Sequence, residues 1–202
     1  MSEGLRIRPA GLEDAAVAAP LLYLTSPGGF MLFGGGERGG RRLIERSFAT
    51  PGTDNSCDVV TVAEIGGRVV GAMAAFPAPE GDVRRKRFLR VALRRRAPWF
   101  WPRIVRVARE GASRAPEPPE DALYIDALAT AEDARRRGVA QALLAEAERI
   151  ARERGFGALA LDTTASNSGA RALYERFGFE MSEEVPAAPP IPAMVGYVKR
   201  LG

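Results

Sequence analysis

The sequence predicts an α/β fold of the α+β kind, and three observations carry that prediction. Gly66-Gly67 separates two apolar runs of strand length, residues 59–65 and 69–76, the pattern of a tight hairpin. Ala122–Thr130 is a strand-like apolar run that ends in a small-residue loop and then an uninterrupted helical pattern. After that helix, residues 158–163 alternate as a further strand and lead into another helix.

The elements follow in order. Residues 5–9 alternate as a first strand, and residues 12–24 are helical in pattern. Glu13 and Asp14 fall in that helix's first turn, where the helix dipole favours carboxylates. Residues 26–40 hold seven glycines around Phe30, Met31 and Phe33, which predicts a loop-rich, mobile stretch. A helical pattern resumes at 41–48, before the hairpin. Leu143, Leu144, Ala147, Ile150 and Ala151 recur at helical spacing until Gly155 closes that helix. Ala170, Leu173, Tyr174 and Phe177 give the next helix one apolar face. Pro186, Pro189, Pro190 and Pro192 predict an irregular connection to a last strand at 195–201. No internal repeat is present.

Composition narrows the function classes. A chain of 202 residues suits one domain, expected over residues 3–202, with a single sizeable core. It is 46% hydrophobic and 27% charged, ordinary for a globular protein, and no apolar run approaches the roughly 20 residues that span a bilayer. With no signal-like N-terminus and one cysteine, Cys57, the expectation is a cytoplasmic protein without disulfides. The chain has no histidine. Nucleophilic triads built on histidine and histidine-bearing zinc sites are therefore excluded, and the lone cysteine rules out a thiolate metal site. No metal is expected. Any acid or base near neutrality must be a carboxylate, Tyr, Lys, the amino terminus or water.

The loop before the second long helix reads Arg135-Arg136-Arg137-Gly138-Val139-Ala140. Small residues at the mouth of a helix leave unpaired backbone N–H groups pointing at solvent, where the dipole favours an anion. It is neither the Gly-to-Gly-Lys-Ser/Thr loop of nucleotide triphosphatases nor the three-glycine dinucleotide loop. Downstream stand Asn167, Ala170, Tyr174, Gly178 and Phe179. Together the two motifs resemble the GNAT superfamily of acyl-CoA-dependent N-acetyltransferases. Its diphosphate loop, Arg/Gln-x-x-Gly-x-Gly/Ala, is matched by Arg135, Gly138 and Ala140. Its later signature, Asn-x-x-Ala-x-x-x-Tyr-x-x-x-Gly-Phe, is matched by the five residues just named. The close match covers about residues 122–180.

That resemblance implies a central mixed, mostly antiparallel sheet, splayed at a cofactor notch, with helices on both faces. It implies acetyl-CoA as cosubstrate and acetyl transfer to a primary amine of a small molecule or peptide. The backbone of Leu128, Ala129 and Thr130 would hold the pantetheine arm. Amides of residues 136–141, with Gly138, Val139, Ala140 and Gln141 at the helix start, would hold the diphosphate. Arg135, Arg136 and Arg137 either assist the phosphates or remain solvated. Asn167 would fix the end of the second strand or touch the pantetheine. Tyr174 would protonate the leaving thiolate, or simply belong to its apolar helix face. Asp126, the only carboxylate within Ala122–Thr130, is either the base or the partner of an arginine from the basic segment; Glu64 and Asp162 are poorer candidates. The 26–40 stretch would lie beside the acceptor pocket or serve as a flexible connector. A non-catalytic acyl-CoA-binding or sensing module is the alternative to an enzyme.

Basicity is concentrated in one place. Residues 82–114 carry eleven Arg and Lys86 against Asp82 and Glu110, a net of +10 in a chain of +4. The segment around 78–121 reads as a helical insertion, broken at Pro98 and Pro102 around Trp99-Phe100-Trp101. A solvated arginine face, a lid for anionic ligands, and a surface for lipid, nucleic acid or a second protomer all fit it. A positive patch with two tryptophans is too common to assign nucleic-acid binding, and protomer number stays open, a homodimer included.

Overall fold

Alternation in the first strand becomes β1 (Leu5–Pro9), which pairs antiparallel with β2 (Val60–Ile65). The computed structural model describes residues 4–189 and 191–202; residue 3, the expected start of the domain, and Pro190 of the proline-rich connection lie outside them. Gly66 and Gly67 both take positive φ (59° and 78°), as a two-residue primed turn requires, and return the chain into β3 (Arg68–Pro77). The remaining strands are β4 (Ala122–Thr130), β5 (Ala158–Thr164), β6 (Glu180–Val185) and β7 (Met194–Arg200). Among the described residues they form one sheet in the order β1-β2-β3-β4-β5-β7-β6. Every neighbouring pair is antiparallel except β4 and β5.

Helices cover both faces, so β3 reads as an almost continuous buried run rather than an alternating one. On one face lie α1 (Ala15–Tyr23), α2 (Pro27–Gly34), α3 (Glu37–Phe48) and α4 (Gly81–Leu93). Their Leu22, Ile44, Phe48 and Phe88 pack with Val62 and Ala72 of the sheet. Opposite lie α6 (Val139–Glu153) and α7 (Ser168–Phe177), whose Leu143, Leu144 and Tyr174 pack with Val70, Met73, Leu159 and Tyr197. Between α4 and β4, α5 (Trp101–Ala112) starts with Pro102 in its first turn, where a missing N–H costs nothing. Trp99 is 77% exposed ahead of it.

Two stretches differ from what the sequence suggests. Residues 26–40 are helical, not a mobile loop: α2 and the start of α3 occupy them. Glycine's low helix propensity hides these helices from a sequence reading, but here it permits close contact. A Cβ on Gly34 would sit 2.2 Å from the Gly40 nitrogen, so the two helices touch backbone to backbone. Phe30 is buried, stacked on Tyr23 (centroids 5.9 Å apart) and edge-on to Phe88 (6.0 Å). The second difference is β6, whose Glu-Met-Ser-Glu-Glu-Val sequence shows no apolar alternation. It lies at the sheet edge, where one side needs no partner and acidic side chains discourage pairing with another chain.

The start of the chain is tied down by charge. Arg8 donates to both Asp14 carboxylate oxygens (2.7 and 2.8 Å) and to Glu64 (2.6 Å), and Asp14 also accepts the Gly11 N–H (2.8 Å). Hydrogen bonding to Arg8 holds the buried Asp14 carboxyl below its usual range. Asp14→Ala is expected to cost about 1–3 kcal/mol, the worth of charge-assisted bonds with a partly exposed partner. A depressed folded pKa makes that contribution complete above the unfolded value of about 3.9 and lost as pH falls through the folded one. Urea melts of wild type and variant should therefore differ at pH 7 and converge at the acid end.

Candidate active site

Hydrogen bonding between the two parallel strands stops early. β4 and β5 pair from Ala122 with Ala158 to Ile125 with Leu161 and no further. Beyond that point β4 continues along β3 to Thr130, and β5 continues along β7 to Thr164. The strands separate into a notch. Along residues 126–130, the N–H and C=O groups of β4 that point away from β3 have no strand partner among the described residues, an open edge of the kind that accepts an added strand.

The splay has a local cause. Ala74 of β3 faces Ala127 while Ala75 faces Ile125, so Asp126 is the extra residue of a β-bulge. One extra residue inverts the alternation that follows. Leu123 and Ile125 therefore join the core under α6 and α7, whereas Ala127 and Ala129 join the core under α1–α4. The bulge leaves Asp126 within reach of solvent, yet the notch walls surround it closely enough to crowd out part of its hydration. Leu128 and Thr130 are half-buried, Ala129 is buried, and the Thr130 hydroxyl is enclosed without a hydrogen-bond partner among the described residues.

The helix start sits at the open end of that edge. Ala131 N–H bonds to Val70 C=O (2.8 Å), a single-turn helix at Glu132–Ala134 follows, and Arg136 (φ 60°) and Gly138 (φ 80°) both take left-handed backbone. A non-glycine residue is uncommon there and marks a constrained loop. The first bond of α6 is Ala142 N–H to Gly138 C=O (2.9 Å). The N–H groups of Val139, Ala140 and Gln141 thus remain open at the helix N-terminus. Side chains of Arg135, Arg136 and Arg137 are exposed around them.

Gly71 sets where α6 begins. It faces Thr130 in the β3–β4 register, and a Cβ there would lie 2.6 Å from Val139 Cγ1 and 3.1 Å from Leu143 Cδ1. Gly71→Val should cost about 1–3 kcal/mol by overpacking and displace the first turn of α6. Denaturant melts measure the stability loss, and faster amide exchange over the first turn of α6 marks the displacement.

Across the notch, Asn167 caps α7: its Oδ1 accepts the Ala170 N–H (3.2 Å) and its Nδ2 donates to Thr163 Oγ1 (3.3 Å). It therefore fixes the end of β5 to the start of α7. The Tyr174 ring is buried against Phe179 and Tyr197 (5.9 and 5.8 Å between centroids). Its hydroxyl has no hydrogen bond among the described residues. Burial first, then the nearby Asp162 and Tyr197, push the Tyr174 pKa up to about 12.

Acidic side chains gather on the notch. Tyr124 donates to Asp162 Oδ2 at 2.7 Å. Loss of hydration raises Asp126 well above the ordinary aspartate range, and repulsion from Asp54 and Asp162 raises it further. Burial likewise raises Asp162, and lifts Asp54 to about 6. Arg85 of α4 opposes all three shifts. It acts from a distance, since no ion pair joins Asp126 to an arginine among the described residues. The sequence singles out Asp126 and offers Asp162 as a poorer candidate, while Asp54, Arg85 and Tyr124 come beside them only in the fold. Asp54 sits in a Thr-Asp-Asn-Ser loop with no motif, and only the fold brings it to β4. Glu64 is spoken for by Arg8. The Cys57 thiol is half-buried and raised by burial and by Asp58, so it stays protonated and weakly nucleophilic.

Among the described residues, no group of three or more Cys, Asp or Glu side chains is placed to hold a metal ion, and no single helix is long and apolar enough to cross a membrane.

Known proteins share this architecture. An N-acetyltransferase from Staphylococcus aureus Mu50 superposes with a TM-score of 0.74 at 18% identity, covering 96% of this chain and 99% of that one. Another acetyltransferase gives 0.69 at 21% identity, covering 98% and 100%. A GNAT family acetyltransferase from Elizabethkingia anophelis with acetyl-CoA bound gives 0.56 at 15% identity, covering 99% and 100%. At such identities the likeness is one of fold. No curated protein matches the chain. The acetyltransferase (GNAT) family model, however, matches residues 37–179, more than half of the sequence and all of the notch, and the chain belongs to that family.

Proposed function

We propose that this protein transfers an acetyl group from acetyl-CoA to a primary amine of a small molecule or peptide, by direct attack of the amine on the thioester. The observation that carries the reading is the open edge of β4, which runs from Asp126 to the exposed N–H groups of α6. An arm with alternating amide donors and acceptors adds to such an edge as an extra strand. Residues 128–130 would hold the pantetheine, and the amides of residues 136–141 the diphosphate, helped by the helix dipole. Of Arg135, Arg136 and Arg137, any that reach a phosphate add a charge-assisted bond.

The acceptor arrives as an ammonium ion and must lose a proton before it attacks. Asp126, with its pKa raised well above the ordinary aspartate range, is the stronger base there and takes that proton, directly or through one water. Asp54 and Asp162 add negative charge that draws the cation in. Nitrogen bonds to the acetyl carbon, the carbon–sulfur bond breaks, and the sulfur leaves as a thiolate. Tyr174 would meet that thiolate as a hydrogen-bond donor. Complete proton transfer from a hydroxyl near 12 to a thiolate of ordinary pKa, about 8.5, is uphill by roughly 5 kcal/mol. Its larger contribution is then the bond to the developing charge, with the final proton coming from the amine.

Free-thiol release from acetyl-CoA, followed across a panel of polyamines, amino sugars and peptide amino termini, tests the proposal. Turnover dependent on one amine class supports it. Tight coenzyme A binding with no release from any amine identifies the alternative, an acyl-CoA-binding or sensing module.

A further inference from the structure

At the far end of α4 from the notch lies a solvent-open cavity of about 270 Å³ between α2, α3 and the turn that follows α4. Its walls are Phe33, Leu43 and Val91, with Arg42, Arg46, Arg95 and Arg96 around them and no carboxylate. Arg42 and Arg46 stand one turn apart on α3, whereas Arg95 and Arg96 come from the other side, so the charges converge from two elements. We propose that this cavity binds a small polyanion, a ligand bearing two or more negative charges on phosphate or carboxylate groups.

Three facts support the assignment. The first fact is the absence of any carboxylate from the cavity wall, whereas other arginines that converge on a partly enclosed site are neutralised there: Arg8 by Asp14 and Glu64, and Arg84 by Asp58 and Glu80. By contrast, the side chains of Arg42, Arg46 and Arg95 make no hydrogen bond or ion pair among the described residues. The second fact is Arg96. It is anchored, with Nη1 donating weakly to Gly34 C=O (3.4 Å) and its guanidinium 4.5 Å from the Phe100 ring centroid. Its Nε is enclosed by the protein without a partner among the described residues, so the charge is partly desolvated and gains from an anion beside its remaining donors. Third, four like charges around one concavity repel each other and focus a positive field into it, which a multivalent anion relieves. The volume of about 270 Å³ falls just below that of pockets for drug-sized molecules, room for a compact ligand.

This cavity is separate from the proposed reaction centre. Arg85 faces the acidic notch, and the eight residues from there to the end of α4 span roughly 12 Å. α4 thus carries an acid-facing end and an anion-facing end.

Calorimetric titration with inorganic pyrophosphate, and in a parallel arm with tricarballylate, tests the inference, with the start of α6 common to wild type and variant so that their difference reports the cavity. Wild type should bind one equivalent. The Arg46→Gln/Arg95→Gln variant, which changes two exposed side chains, should bind at least tenfold more weakly with an unchanged anion-free melting temperature. Pyrophosphate binding tighter than tricarballylate marks a phosphate ligand, and the reverse order a carboxylate one. No saturable binding by wild type, or identical isotherms for wild type and variant, overturns the proposal. Neither result depends on turnover.

Discussion

Asp126→Asn should lower kcat/KM about 100-fold or more while making the protein more stable at neutral pH. The first effect follows from removing a general base, whose usual contribution is 10²–10⁴-fold. The second follows from linkage. Asp126 has its folded pKa raised by poor hydration and by Asp54 and Asp162. Its ionised form is therefore disfavoured by folding: stability falls as pH rises from the unfolded pKa of about 3.9 through the folded one, and the full penalty persists above. Asparagine carries no such penalty. The variant's melting temperature should exceed that of wild type at pH 8, and the gain should vanish below pH 4. The acid limb of the wild-type rate profile should sit well above pH 3.9 and be missing from the residual activity of the variant. Lost activity together with lost stability would mean damage to the bulge, and unchanged activity would remove Asp126 from the mechanism.

Tyr174→Phe is the second large effect, and it isolates one atom. The ring keeps its contacts with Phe179 and Tyr197, and the hydroxyl has no hydrogen bond to lose. Stability should thus stay within about 0.5 kcal/mol of wild type. A hydrogen bond to a charged group is worth about 1.5–3 kcal/mol, so kcat should fall roughly 10- to 150-fold with coenzyme A affinity unchanged. Because burial holds the hydroxyl near 12, wild type and variant should have the same rate profile between pH 6 and 9 apart from a constant factor. An equal kcat would leave Tyr174 as a core residue only.

Much of this was legible in the chain, for reasons that differ by element. The hairpin declares itself because Gly66 and Gly67 are what a turn with two positive φ angles needs. α6 declares itself because its buried residues, Leu143, Leu144, Ala147 and Ala151, are local and periodic. α2 does not, since Gly34 and Gly40 serve contact between helices, a property of tertiary packing that local propensity scores against. β6 is likewise silent, an edge strand whose side chains stay exposed and need no pattern. In the site, Asp126 stood out as a charge in an apolar strand. What could not be read was that it is a bulge residue, because a bulge exists only in the register between β3 and β4. The same holds for Asp54 and Arg85, which lie about 72 and 41 positions from Asp126 and meet it only through the fold.

Residue-resolved hydrogen–deuterium exchange with and without acetyl-CoA tests the central claim most directly. The account predicts slowed exchange at two separate places: amides along residues 126–130 of β4 that point into the notch, and the amides of residues 136–141 at the start of α6. Binding of acetyl-CoA with both places exchanging as fast as in the free protein would contradict it.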